Sequence, residues 1–259
     1  MSKSAGRPVT APVLLRRGVR AFGLAALAAL ALMAAAGAQV ASAAAGGQIA
    51  PEQQLVTLLS VKSVHAQPVF GSATLVAVLD QRPITLVRTT LPVLAQTTDD
   101  EGRAWLRVRL PGRVFHRKTP PASGWITAFD TRLSTTAWHL VIDIAARRVI
   151  AYHDGAQRRS FSVIVGKPST PTPRGDYFVE ETMRLSNSHV GAPFALAASA
   201  RSPVFREFMG GPGQIALHGV KNIGGRMGTA VSNGCVRMTS EAIMWLAPRI
   251  QAGVPLTIR

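Results

Sequence analysis

Cysteine is almost missing from this chain: Cys235 is the single one in 259 residues. An internal disulfide is therefore excluded, and in an oxidising compartment a lone thiol is open to oxidation and to cross-linking between chains. Acidic residues are also scarce, 13 against 29 Lys and Arg, for a formal charge of +16. No group of His, Cys, Asp and Glu has metal-ligand spacing, so no metal is expected. Gly224-Gly225 precedes no strand-to-helix fingerprint, which leaves the pair as a source of flexibility rather than a nucleotide cradle. No cofactor is expected. The basic residues are scattered, neither gathered on one helix nor interleaved with aromatics, which argues against nucleic acid as a partner.

What is present begins with an export pattern. Lys3, Arg7, Arg16, Arg17 and Arg20 form a basic stretch without acids, an Ala/Leu run follows from Ala21 to Ala36, and Ala41-Ser42-Ala43 is a small-x-small cleavage site. Residues 1–43 read as a secretory signal peptide, with an uncleaved membrane anchor as the alternative. The protein is expected outside the cytoplasm, in the periplasm or on the wall side of the membrane. Loss of residues 1–43 would leave 24 basic against 13 acidic residues, or +11. Such a surface adheres to anions, an anionic cell wall included, although an arginine-rich proteome explains the same charge.

Residues 44–60 read as a linker with a short helix opened by Pro51. Residues 61–130 read as a small β-rich domain. Leu75–Leu79 and Ile84–Val87 are apolar runs, Trp105–Leu110 alternates apolar and basic, and Pro111-Gly112 and Gly124 supply turns. The Trp105 strand and Gly124-Trp125-Ile126 resemble a small bacterial Src-homology-3-like barrel; wall binding is one reading of it and a β-rich spacer the other. From Trp138 strands follow closely: Trp138–Asp143, Val149–Tyr152 and Arg159–Val165, with Asp154-Gly155 as a hairpin turn. Arg184–Gly213 has little periodicity and reads as a long irregular loop, the composition of a lid. Gln214–Leu217 is a strand that ends on His218, Thr239 or Ser240 caps a helix after Cys235, and Val254–Ile258 is a last strand. The strands after Trp138 are expected to build a core of their own, so that residues 138–259 would fold without 44–130.

Cys235 follows a glycine and lies seventeen positions after His218-Gly219. A buried inert thiol and a nucleophile are the two readings, and that setting favours the nucleophile. A free cysteine is only slightly ionised at neutral pH, and a partner imidazole that takes its proton makes it reactive. Gly234 lets the backbone turn sharply, so that the amides of Asn233, Gly234 and Cys235 could converge on a developing oxyanion, each such donor contributing about a hundredfold or more in rate. Arg237 shares a face with Cys235 on an extended segment. It either positions the loop or a substrate carboxylate, or forms a structural ion pair. Ser232 is a loop hydrogen-bonder or a substrate contact, and His189 in the irregular segment is a further substrate-binding candidate.

His218-Gly219, the glycine-rich spacer and Ser232-Asn233-Gly234-Cys235-Val236-Arg237-Met238 resemble the signature of the L,D-transpeptidase (YkuD-type) catalytic domain. Gly166-Lys167 followed by Thr170-Pro171-Thr172-Pro173-Arg174-Gly175 resembles that family's upstream turn. Asn233 departs from the pattern, since many members carry His there. The resemblance spans residues 138–259 and implies a mainly β fold: a β-sandwich or barrel catalytic domain with a short helix after the nucleophile. It implies an exported acyltransferase of cell-wall biogenesis that acts on peptidoglycan stem peptides. Cys235 would attack the diaminopimelate–D-Ala bond of a tetrapeptide stem, His218 would move protons with the Gly219 carbonyl or the neighbourhood of Ser232 holding its ring, and an amine of another stem would resolve the thioester. An L,D-carboxypeptidase or D-amino-acid exchange enzyme is the alternative within that chemistry. A non-catalytic wall-binding protein is the alternative outside it. A papain-like peptidase is disfavoured because there the nucleophile precedes the histidine.

Overall fold

The computed structural model describes residues 48–114, 116–208 and 210–259. The signal-peptide reading of residues 1–43 lies outside them. The first seven strands are β1 (Gln53–Leu58), β2 (Lys62–His65), β3 (Thr74–Val78), β4 (Thr90–Thr98), β5 (Ala104–Arg109), β6 (Ser123–Thr127) and β7 (Thr131–Thr136). They form one antiparallel sheet in the order β3-β2-β6-β5-β4-β1-β7. Period-two patterning sets its core: in β5 Leu106 and Val108 are buried while Arg107 points to water, and Trp105, on the face of Arg107, is covered by His65 and Phe70.

Two local expectations fail here. Gln53–Leu58 is a strand rather than part of a helix, because it is sandwiched between β4 and β7 and its apolar half, Leu55 to Leu58, goes into the core. Pro51 simply precedes it. Ile84–Val87 is a turn and not a strand, with Leu86 at φ +57 and both Ile84 and Leu86 exposed.

The second part holds β8 (Trp138–Asp143), β9 (Arg148–His153), β10 (Ala156–Ser162), β11 (Val165–Gly166), β12 (Gly175–Arg184), β13 (Phe194–Arg201), β14 (Gln214–Gly219), β15 (Ala230–Ser232), β16 (Val236–Met238), α1 (Ser240–Leu246) and β17 (Pro255–Ile258). Eight strands make a mixed sheet in the order β10-β9-β8-β17-β12-β13-β14-β16, and β11 pairs with β15. The β9–β10 turn places Asp154 at φ +54 and Gly155 at φ +70, the two positive angles of a type I′ hairpin. Thr239 caps α1, its hydroxyl accepting from the Ala242 amide, and Ala242, Ile243 and Leu246 pack inward. Among the described residues the architecture is mainly β with one short helix, which follows Cys235, as expected.

The supposed irregular stretch 184–213 contains a strand, β13, whose seven residues Phe194 to Ala200 are all buried. A strand covered on both faces has no alternation to read, and alanine carries little strand preference of its own.

The two sheets also share material. Phe178 of β12 is buried in the cluster formed by Val56, Leu58, Leu91, Val93, Val108 and Ile126 of the first sheet. A β-bulge follows between Val179 and Glu181. Bulges re-aim side chains, and here two successive carboxylates, Glu180 and Glu181, both reach residues of the first sheet. Glu180 accepts from Arg82 Nη2 (2.6 Å) and the Gly112 amide (2.8 Å), and Glu181 accepts from Thr85 Oγ1 (2.8 Å). The strands after Trp138 have a buried cluster of their own, from Leu140 to Ile258, while Phe178 and the two carboxylates reach residues before Trp138.

Candidate active site

β14 and β16 run side by side in parallel, with Leu217 opposite Val236 and His218 opposite Arg237. Along β14 the even-numbered residues Gln214, Ala216 and His218 are half-buried, while Ile215, Leu217 and Gly219 are in the core. Cys235, one residue ahead of β16, shares the outward face of Arg237. The register thus brings Cys235, His218 and Arg237 to one face of two neighbouring strands, where all three line a cavity of about 260 Å³. Asn233, His189, Phe205 and Phe208 complete much of its wall.

His218 Nδ1 donates to the Gly219 carbonyl at 2.7 Å, which fixes the tautomer and leaves Nε2 as the unprotonated nitrogen. Burial pushes the imidazole below its ordinary pKa; the Gly219 bond opposes this and nearby Arg237 adds to it. Gly191 braces the ring from the other side. It has φ +86, and a Cβ there would sit 2.6 Å from His218 Nδ1, so no larger residue fits without moving the histidine. Burial also pushes the Cys235 thiol up, with a backbone hydrogen bond from Ala216 and the charge of Arg237 pulling the other way. The Sγ lies 3.9 Å from the Gln214 carbonyl. Both shifts favour the uncharged forms, a thiol and a neutral imidazole.

The loop that carries Cys235 is clamped by the upstream turn. Gly234 sits at φ +119, a backbone angle that favours glycine. Its carbonyl accepts from Thr172 Oγ1 at 2.8 Å, and Thr170 Oγ1 donates to the Ser232 carbonyl at 3.2 Å. Both threonines are buried. Ser232 is buried too, and its hydroxyl donates to the Cys235 carbonyl at 2.6 Å and accepts from the Gly234 amide at 3.2 Å. Of the two readings of Ser232 its hydroxyl serves the loop one, and the Gly234 amide, already engaged, leaves the expected set of oxyanion donors.

Residues 137–258 match the family model of the L,D-transpeptidase catalytic domain, YkuD. They form an L,D-transpeptidase domain. The match takes in the Thr170–Gly175 turn, His218 and Cys235. A putative L,D-transpeptidase YkuD of Bacillus subtilis is 27% identical over 124 residues, which cover 48% of this chain and 67% of that protein. Among solved structures, an L,D-transpeptidase from Mycobacterium smegmatis covers 61% of this chain and 90% of its own, with 19% identity and a TM-score of 0.36. One from Mycobacterium tuberculosis H37Rv covers the same shares at 15% identity and a TM-score of 0.40.

His189, expected as a substrate contact, lies on the cavity wall of the L,D-transpeptidase domain, with Nδ1 3.0 Å from the Val190 carbonyl. Arg237 is not in an ion pair among the described residues. Its Nε is buried without a partner, and Nη1 makes only a long 3.4 Å bond to the Gly224 carbonyl. Sequence reasoning missed Gly191, Phe205 and Phe208. The signals were a glycine two residues before Pro193 and two phenylalanines three apart, neither specific without the fold. No group of three or more His, Cys, Asp and Glu among the described residues could hold a metal.

Proposed function

We propose that the protein is a peptidoglycan L,D-transpeptidase with Cys235 as nucleophile and His218 as proton carrier. The observation that carries this reading is the juxtaposition of thiol and tautomer-fixed imidazole on adjacent parallel strands in one cavity. The Cys235 sulfur attacks the carbonyl carbon of the diaminopimelate–D-Ala amide while His218 Nε2 takes the thiol proton. The carbon–nitrogen bond breaks, the proton passes to the departing D-Ala amine, and a thioester remains. An amine of a second stem then attacks the thioester, gives its proton to His218 and regenerates Cys235, leaving a cross-link between the third residues of two stems. The amides of Asn233 and Cys235 are the oxyanion donors in this reading. Arg237, with a buried donor lacking a partner, is suited to a substrate carboxylate. Export of the chain is proposed from its first 43 residues.

A carbapenem presents a strained amide carbonyl near a carboxylate and would trap such a thiol. Intact mass should show one added drug per chain, mapped to Cys235 and lost in Cys235→Ala. His218→Ala should slow its formation by about a hundredfold or more. An adduct that persists in Cys235→Ala would sink the reading. Incubation with disaccharide-tetrapeptide then identifies the acceptor: a cross-linked dimer for transpeptidation, a tripeptide for hydrolysis by water.

A further inference from the structure

The cavity wall opposite the strands is built by the segment that joins β13 to β14. Its ends are tied together, the Ser202 amide donating to the Gly213 carbonyl at 2.7 Å. Ser202 Oγ accepts from the amides of Val204 (3.2 Å) and Phe205 (3.0 Å), which starts the turn. Phe205 and Phe208 then stack with ring centroids 5.3 Å apart and face the cavity. Nothing so far holds the carbonyls at the apex of this turn. That contact comes from outside the L,D-transpeptidase domain.

Arg113 lies in the loop between β5 and β6 of the first sheet and is buried. Its Nη2 donates to the carbonyls of Phe205 (2.8 Å) and Arg206 (3.2 Å). The loop itself is fixed to the catalytic part at two further points. The Arg113 carbonyl accepts from Arg201 Nε at 3.0 Å, and the neighbouring Gly112 amide donates to Glu180 Oε1 at 2.8 Å. His116, further along the same loop, pairs with Glu207 at 3.4 Å. Glu180 Oε2 in turn accepts from Gln214 Nε2 at 2.8 Å, and Gln214 is the residue whose carbonyl faces the Cys235 sulfur. One loop of the first sheet therefore touches the wall of the cavity and is linked, through Glu180, to the strand beneath the thiol.

We propose that Arg113 is a positioning residue of the active site: its guanidinium holds the Phe205–Phe208 turn against the cavity, so that the first sheet supplies part of the scaffold that shapes the acyl-donor pocket. One guanidinium nitrogen serves both carbonyls, its two N–H groups held in a fixed plane, whereas a lysine ammonium sits on a flexible stem that fixes no such direction. Burial first, and then the like charges of Arg201 and Arg206, pull the Arg113 pKa down. The wall-shaping role rests on the cavity being the donor site proposed above, whereas the tethering role does not.

The test separates those two layers. Hydrogen exchange by mass spectrometry on the full chain should show the amides of the Phe205–Gly213 region exchanging about tenfold faster in Arg113→Ala, with β14 and β16 unchanged. Arg113→Lys keeps the stem and the charge and should raise the same amides by a smaller factor; it also serves if the alanine variant does not fold. Alkylation of Cys235 by iodoacetamide, too small to need the wall, should stay within about twofold of wild type, while carbapenem acylation slows by about tenfold. Unchanged exchange in both variants, or a rise spread evenly over all strands, would overturn the tether. If wild type takes no carbapenem while the exchange pattern appears, the proposed function fails and the tether stands.

Discussion

Thr172 Oγ1 donates to the Gly234 carbonyl across 62 positions of sequence, and the same oxygen accepts from the Gly166 amide at 2.9 Å. One buried hydroxyl thus joins the upstream turn, the short strand β11 and the residue before the nucleophile. Thr172→Val keeps the shape and removes both bonds. Each buried group left without a partner costs roughly 1–3 kcal/mol, so the variant should melt several degrees lower. It should also lose about tenfold or more in carbapenem acylation, because a small displacement of the thiol from its attack position is expensive. Thr172→Ser should restore most of both. Wild-type acylation in Thr172→Val would mean that the loop holds its shape without the clamp.

The electrostatics of the pair set a pH signature. Burial lowers the His218 pKa below the ordinary 6.5 and raises that of Cys235 above the ordinary 9.0. A lowered imidazole pKa keeps the base form available below pH 6.5, so the acid limb of carbapenem acylation should fall under that value. A raised thiol pKa means that iodoacetamide alkylation should still be climbing above pH 9. A preformed thiolate–imidazolium pair would do the reverse and give a flat alkylation rate around neutrality. The rate of alkylation against pH, in wild type and in His218→Ala, distinguishes the two. A neutral-pH plateau would count against the uncharged resting state.

How much of this was legible in the chain depends on how local the cause is. Asp154-Gly155 announces its hairpin because two positive φ angles are needed and those residues tolerate them. His218 and Cys235 stand out because the single cysteine lies seventeen positions after His218-Gly219, a spacing short enough to notice in the chain. β1 was hidden behind Pro51 and two glutamines; it is a strand because β4 and β7 pair with it, a cause that lies 32 or more positions away. β13 was hidden by burial on both faces. Glu180 and Glu181 carry no local sign of their burial, which comes with the bulge in β12. Arg113 follows a Pro-Gly turn and carries no local sign of the carbonyls it serves.

Glu180 joins the two sheets and offers the sharpest test of their dependence. Its side chain is fully buried and pairs with Arg82 (2.6 Å) and Arg201 (3.0 Å), themselves almost covered. Removing one partner from such a group leaves buried charge uncompensated, at a cost of about 3–5 kcal/mol. Glu180→Ala takes the carboxylate from Arg201 and leaves Arg82 only Glu181, at 3.7 Å, so its melting temperature should fall by roughly 10 °C or more. The exposed pair Arg159–Glu241, at 3.1 Å, is the contrast: Glu241→Ala should change stability by at most about 1 kcal/mol. Because Phe178 is packed inside the first sheet's core, calorimetry of the chain should show one cooperative transition for both sheets. Residues 137–259 on their own should be markedly less stable than the full chain, with Phe178 bared to water. Two separate transitions, or a wild-type melting temperature in Glu180→Ala, would mean that the first sheet is an independent module after all.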